Sequence, residues 1–129
     1  MTAYGLNQTV RRTAYMNLRN LPGVMMRTET SAPPDEALPV LVFDGTVERV
    51  SEAKKGNLLA VTARVEFLIL RMPGRVIKGR IAGAATVHAE HSALKRSSEL
   101  QQLRREAVEA ATESALSNAA SALQAVSDS

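Results

Sequence analysis

The sequence predicts a single α+β domain over residues 1–129: an antiparallel meander of three or four strands, with an N-terminal helix and a long C-terminal helix packed on one face of the sheet. Apolar residues recur every three or four positions near both ends of the chain, which is typical of one stripe of a helix. Between these ends apolar and polar residues alternate, which is typical of strands with one buried face. Turn residues separate the alternating runs, so the strands are expected to follow one another directly.

The composition sets broad limits on function. With 129 residues the chain is long enough to bury a core. Its 16 lysines and arginines against 13 aspartates and glutamates give a formal charge of +3, a mild excess that is scattered along the chain. The absence of cysteine excludes disulfide and thiol chemistry. No apolar run is as long as the roughly 18 residues of a membrane span, and we expect no signal peptide at the amino terminus.

The first helix is predicted over residues 6–20. Its apolar positions lie on one stripe and are Leu6, Val10, Ala14, Leu18 and Leu21. Pro22 and Gly23 end it, because a proline keeps the preceding residue out of the helical region and a glycine permits the reversal. A short edge strand is predicted over 24–30. Residues 31–38 contain two prolines and are expected to form an exposed connection.

The next strand is predicted over residues 40–52. Leu41, Phe43 and Val47 share one face of it. Gly45 is placed within this strand, at a bulge or at a close contact, because dividing the segment there leaves halves of only about four residues, near the short end for strands. Residues 54–57 then form a turn into the following strand.

The central prediction is a long hairpin with arms over 58–71 and 75–88. Its apolar residues are mostly odd-numbered, and they are Leu59, Val61, Ala63, Val65, Phe67 and Ile69 in the first arm and Ile77, Ile81, Ala85 and Val87 in the second. A three-residue loop at Met72, Pro73 and Gly74, with Gly74 left-handed, sets the odd residues of one arm against the odd residues of the other.

This loop predicts a specific register. It sets Arg71 opposite Arg75 and Ile69 opposite Ile77. Further along, Phe67 lies opposite Gly79, and Glu66 lies opposite Arg80 as a charge pair. Every odd residue then belongs to one buried face, as burial of the apolar side requires.

The terminal helix is predicted over residues 98–126. Ser98, with Gln101 three residues later, has the spacing of a capping box. At 1.5 Å per residue the helix is roughly 43 Å long, and eleven hairpin residues at about 3.3 Å each are roughly 36 Å long. We therefore expect the helix to lie along the apolar face of the sheet. Its second half consists mostly of small uncharged residues, which permit close approach to the sheet or to a partner.

No catalytic, cofactor-binding or metal site is predicted, and the chain is not expected to be an enzyme. His88, Glu90 and His91 form the one cluster with metal-binding side chains, but zinc takes three or four ligands and no further one is near in sequence. We interpret the cluster as a solvated loop. Gly79 and Gly83 lie within a strand, where glycine suits packing against neighbouring side chains and the terminal helix.

Two alternatives to protein binding stay open at this point. Arg11, Arg12 and Arg19 on the first helix are placed to contact phosphates, although the aromatic residues used by single-strand platforms are almost absent. A second cationic group near the hairpin tip consists of Arg71, Arg75 and Lys78. A small-ligand site needs a pocket between helix and sheet with convergent polar groups, and the apolar odd face argues against one.

The candidate partner-binding surface is the tip of the hairpin. Apolar residues occur there on the face that the alternation assigns to solvent, with arginines beside them. The candidate residues are Leu68, Leu70, Arg71, Met72, Arg75 and Val76. An apolar patch rimmed by arginine is typical of protein-binding surfaces. The alternative is that a loop or the first helix covers these residues.

The order of elements from Leu18 to Val87 resembles bacterial envelope domains of the TolB amino-terminal type, which include curli-secretion and penicillin-binding-protein activator lipoproteins. It is also similar to carboxy-terminal domains of bacterial HEAT-repeat proteins. The segments that carry the resemblance are LRNLPGV, VFDGTVERVSE and LRMPGRVIKGRIAGAATV, with Gly45, Pro73 and Gly74 as distinctive positions. The chain departs from these domains by lacking a strand before the first helix and by ending in a long helix.

The resemblance implies a noncatalytic protein–protein interaction or assembly module of a bacterial cell envelope or of a larger multi-domain system. Its expected partner is another protein or a second copy of the chain, rather than nucleic acid, and no cofactor is implied. Self-association is expected through the alanine-rich half of the last helix or through an unpaired sheet edge. The implied compartment is the periplasm or cell envelope if a leader has been removed, and otherwise the cytoplasm.

Overall fold

The structure is a computed structural model that describes residues 3–21, 40–72, 74–90 and 97–127. Its elements in chain order are α1 (Ala3–Leu18), β1 (Val40–Lys55), β2 (Leu58–Met72), β3 (Val76–Glu90), α2 (Ser97–Leu116) and α3 (Ala119–Ser127). The predicted strand 24–30, the predicted connection 31–38 and His91 lie outside the described residues.

The predicted α+β class is confirmed, although the sheet has three strands rather than four in the part of the chain that the structure describes. The strand order is β1-β2-β3 with antiparallel neighbours, as expected of a meander. α2 packs on β3 and β2, and α1 packs on α2 and β1. We call the side of the sheet that carries these helices the helix face, and the opposite side the outer face.

The predicted single helix over 98–126 is interrupted. α2 ends at Leu116, and a turn at Ser117 and Asn118 precedes α3. The Ser117 hydroxyl donates a hydrogen bond to the carbonyl oxygen of Ser114 over 2.7 Å. Serine and asparagine side chains compete with the backbone for hydrogen bonds in this way, which disfavours them inside helices. The alanine pattern on either side of the turn gave no sign of it.

β2 supplies the centre of the core. Its odd residues face the helices, and Val61, Ala63, Val65, Phe67 and Ile69 are at most 1% exposed. The first four of these belong to a cluster that includes Leu6, Val10, Leu103, Ala107, Val108 and Ala111 of the helices. The predicted assignment of the odd residues of this strand to a buried face is therefore confirmed.

A bulge at Glu48 changes the phase of β1. The pairing with β2 skips Glu48, so that Arg49 lies opposite Arg64. As a result the even-numbered Val50 packs against the core. The predicted continuous strand through Gly45 is confirmed, and it extends to Lys55 instead of ending at residue 52.

Gly45 lies at a close contact and not at the bulge. It is opposite Phe67 in the sheet, and a Cβ atom built on it would stand 2.8 Å from Cδ1 of that ring. Phe43 also packs there, with its ring centroid 6.3 Å from that of Phe67. The ring of Phe67 thus occupies the space that a side chain at position 45 would need.

The predicted register between β2 and β3 is wrong by two residues. Phe67 lies opposite Ile81 instead of Gly79, and Ile69 lies opposite Gly79 instead of Ile77. A shift of two residues leaves the faces unchanged, because side chains alternate with a period of two. Most of the predicted face assignment therefore survives an incorrect register.

The turn explains one residue of the shift, and an extra residue in β3 at Lys78 explains the other. Arg71 pairs with Val76 and not with Arg75, so the loop is longer than the predicted three residues. A left-handed conformation occurs at Arg75, where φ is 51°, although the sequence had favoured Gly74 for it. The longer loop moves the second arm along the first.

The predicted charge pair between Glu66 and Arg80 is present along a diagonal. Glu66 lies opposite Ala82, because of the shifted register. The Nε atom of Arg80 is nevertheless 3.4 Å from Oε1 of Glu66. Diagonal neighbours on one face are within reach of long side chains, so the pair does not depend on direct alignment.

A second bulge, at Lys78, moves Ile77 off the helix face. Ile69 pairs with Gly79, but the next pair is Leu70 with Ile77, so Lys78 is an extra residue in β3. Residues directly opposite each other share a face, which puts Ile77 on the outer face beside Leu70. The predicted burial of Ile77 is wrong, since this residue is 59% exposed.

α2 lies directly on β3 at Gly83. A Cβ atom at this position would stand 2.7 Å from the carbonyl oxygen of Ala111 and 2.7 Å from Cα of Ala115. Both alanines are fully buried. The expectation that a strand glycine permits close packing of the terminal helix is confirmed for Gly83, and these backbone contacts hold the two layers together.

Candidate protein-binding surface

The middle of the outer face is polar and its groups are paired. Arg64 donates from Nε to Oε2 of Glu48 over 2.7 Å, and the hydroxyl oxygens of Thr62 and Thr86 are 2.8 Å apart. Glu48 reaches Arg64 because the bulge sets it on this side of β1. Such a surface is typical of an antiparallel sheet with one solvated face, and it offers no unusual chemistry.

Towards the turn between β2 and β3 the outer face becomes apolar. Val42, Leu70 and Ile77 lie side by side across the three strands, and Leu68 comes two residues before Leu70 on the same face. Val76 next to the turn is 51% exposed. We define the tip patch as the exposed or half-buried apolar residues Leu68, Met72 and Ile77 of the outer face and Val76 beside the turn, together with Arg71, Arg75 and Lys78 around them.

The six predicted surface residues differ in their exposure to solvent. Arg71, Arg75 and Val76 are exposed, and Leu68 and Met72 are half-buried. Leu70 is only 4% exposed, so it offers little area to a partner. Five of the six residues therefore contribute accessible surface.

Ile77 is the member of the tip patch that the sequence argument missed. The sequence prediction placed Ile77 in the core, because it is odd-numbered like Ile81 and the odd residues of the hairpin were assigned to the buried face. The available signal was Gly79 two residues later, since a glycine inside a strand often marks a bulge. A bulge reverses the parity of every residue beyond it.

The cations of the tip patch are unpaired. Arg71, Arg75 and Lys78 are exposed, and none of them forms an ion pair with another residue in the described ranges. Arg80, a little further along β3, is paired with Glu66 at 3.4 Å. The tip patch therefore combines apolar area with three cations that have no ion-pair partner among the described residues.

The arginines of α1 do not form a comparable surface. Arg12 pairs with Glu109 of α2 at 3.8 Å. The guanidinium of Arg19 lies 5.9 Å from the ring centre of Tyr15 on the same helix. Two of the three cations proposed as phosphate contacts thus have partners within the domain, which leaves the tip as the stronger cationic site.

A depression between α1, β1 and α2 is one candidate small-ligand site in the part of the chain that the structure describes. It is lined by Leu6, Val50, Glu52 and Arg104. Arg104 and Glu52 bind each other, with 2.6 Å between Nε and Oε1. Because these two polar groups satisfy one another, the depression lacks the free convergent groups that fix a ligand.

Two further findings concern metals and membranes. His88 and Glu90 lie at the end of β3, and no group of three or more metal-binding side chains occurs within the described ranges. None of the helices, as far as the structure describes them, combines the length and hydropathy that crossing a membrane requires.

The fold and the tip patch define the chain as a two-layer α+β domain with an apolar, cationic surface at one end of its sheet. No family model matches the chain, and no curated protein or solved structure matches it.

Proposed function

We propose that the chain is a noncatalytic protein-interaction or assembly module that binds its partner through the tip patch. The observation that carries this proposal is the exposure of Ile77. A bulge turns this β-branched residue outward and leaves it 59% exposed. Burying such a side chain in an interface is worth about 1.5–3 kcal/mol. A strand that needed Ile77 only for stability would gain by keeping it on the helix face.

The neighbours of Ile77 support an interface. Leu68 and Met72 extend the patch on the outer face while remaining half-buried. Val76, 51% exposed, adds apolar area at the tip, but it lies opposite Arg71 and therefore on the other side of the sheet from Ile77. Apolar area at the centre with arginine at the rim is the usual anatomy of a protein interface. The unpaired Arg71, Arg75 and Lys78 favour a partner surface that is apolar with acidic residues around it.

The setting belongs to the same proposal. It is the bacterial cell envelope or a larger multi-domain system, and its support is the pattern from Leu18 to Val87 that resembles envelope assembly domains. The partner is another protein, and the positive charge of the tip patch favours an acidic surface on it.

The test replaces an exposed apolar residue at either end of the sheet. Ile77→Asp should reduce recovery of the cross-linked partner from the native host by about tenfold or more, because the interface loses a buried apolar contact and gains an unfavourable charge. Leu58→Asp is the matched control, since Leu58 is 46% exposed at the opposite end of β2. Quantitative mass spectrometry of the cross-linked complexes measures the change.

Both variants should keep the circular dichroism spectrum and thermal midpoint of the parent, because both positions are exposed. Equal recovery of the same partner with Ile77→Asp and with Leu58→Asp would contradict the proposal. So would a loss with both variants, since it would show that no particular end of the sheet is used.

A further inference from the structure

The two edges of the sheet differ in how they are protected. β1 carries a bulge at Glu48 and, along its length, the charged residues Asp44, Glu48, Arg49, Glu52, Lys54 and Lys55. β3 carries no Asp, Glu, Lys or Arg from Ile81 to Ala89. Charges and bulges are the usual devices that keep an edge strand from pairing with another chain. β1 has both devices over most of its length, whereas the central part of β3 has neither.

The backbone of β3 is available for pairing in the part of the chain that the structure describes, since only β2 pairs with it. Its apolar side chains also have an open flank. Ile81, Ala85 and Val87 pack against the core but are only partly buried. An added strand beside β3 would cover this flank and satisfy the outward N–H and C=O groups at once.

A second copy of the chain does not fit this edge. The backbone of α2 lies directly on β3 at Gly83, with Ala111 and Ala115 against it. Two copies joined edge to edge about a twofold axis would bring their β3 strands about 4.8 Å apart. Their α2 helices would then be crowded into a similar spacing, whereas packed helices need about 8–10 Å. An extended segment without a helix layer of its own avoids this clash.

We propose that β3 takes an extended segment of a partner protein as a fourth strand, continuous with the tip patch. Apolar side chains of the segment lie on the helix face beside Ile81 and Val87, and an acidic side chain lies near the exposed Lys78. This inference rests on the proposed function and specifies how the partner binds.

The probe is a synthetic peptide in which glutamate and valine alternate, as long as the segment Ile81 to Ala89. On adding it, amide hydrogen exchange should slow at alternate residues of β3, because only every second N–H of an edge strand points outward. A counterpart with lysine in place of glutamate should bind more weakly, because the end of the peptide nearest Lys78 then carries a repelled lysine instead of an attracted glutamate.

Two neighbouring proline substitutions give the decisive comparison. Of Ala84 and Ala85, one directs its N–H towards β2 and the other directs it outward. Of Ala84→Pro and Ala85→Pro, one variant should therefore unfold, and the other should stay folded and lose binding of the glutamate–valine peptide. Circular dichroism reports folding, and the peptide titration reports binding.

A folded proline variant that binds the peptide as well as the parent would overturn the inference. If neither proline variant folds, the exchange experiment on the parent decides, and unchanged exchange along β3 with saturating peptide would overturn it. Loss of the native partner with Ile77→Asp but not with the folded proline variant would leave the proposed function standing and remove strand addition. Retention of the native partner by both variants would contradict the proposed function as well as strand addition.

Discussion

Gly83→Ala should lower the free energy of unfolding by about 3 kcal/mol, at the upper end of the usual cost of overpacking a core. The added Cβ atom would stand 2.7 Å from the carbonyl oxygen of Ala111 and 2.7 Å from Cα of Ala115. These are backbone atoms of α2, so no side-chain rotation can relieve the contact. The helix has to move away from β3, and the core between the two layers loosens. Urea denaturation followed by circular dichroism measures the change.

Ala84→Val is the matched control for Gly83→Ala. Ala84 is the next residue of β3 and is exposed on the outer face. A valine there should change the free energy of unfolding by less than about 0.5 kcal/mol, as is usual for surface positions. A Gly83→Ala protein as stable as the Ala84→Val protein would mean that α2 does not lie on β3 at this point.

Phe67→Ala should cost about 4 kcal/mol of unfolding free energy, within the usual range for removing a buried phenylalanine. Phe67 is 1% exposed and belongs to the central cluster of the core. Its ring also occupies the space beside Gly45, where a Cβ atom would stand 2.8 Å from Cδ1. Gly45→Ala alone should therefore be destabilising as well, by about 2 kcal/mol.

The two substitutions should not be additive. In the Phe67→Ala background the ring is absent, so Gly45→Ala should cost little or should stabilise the protein by filling space. A coupling energy of about 1–2 kcal/mol is expected for residues in direct contact. Equilibrium unfolding of the two single variants and the double variant completes the cycle. Simple additivity would contradict the placement of the Phe67 ring against Gly45.

Much of the fold is predictable because it depends on the alternation of odd- and even-numbered residues between the two faces of a strand. The odd residues of β2 alternate with polar ones, and a period of two survives any even shift of register. The register itself depends on the turn, where Pro73 and Gly74 suggested a shorter loop than the one that forms, and on the extra residue at Lys78. The break in the helix at Ser117 was also not predicted, because the alanines on both sides of it continue a helical pattern.

The tip patch was only partly predictable because bulges reverse parity. Leu68, Met72 and Val76 were recognised as apolar residues on a face assigned to solvent. Ile77 was assigned to the core, because the neighbouring Gly79 is the one sequence sign of the extra residue, Lys78, that turns it outward. Leu70 was included in the surface although it is buried, because alternation assigns a face and does not tell how far neighbouring side chains cover it.

The most direct test of the tip patch is the accessibility of position 77. Because the chain contains no cysteine, a single introduced thiol reports its own surroundings. Ile77→Cys should react with a maleimide nearly as fast in the native protein as in the unfolded chain, since Ile77 is 59% exposed. Ile69→Cys should react at least about a hundredfold more slowly, because a buried thiol reacts only after local opening. Slow labelling at position 77, equal to that at position 69, would show that Ile77 lies in the core and would contradict the outward turn on which the binding surface depends.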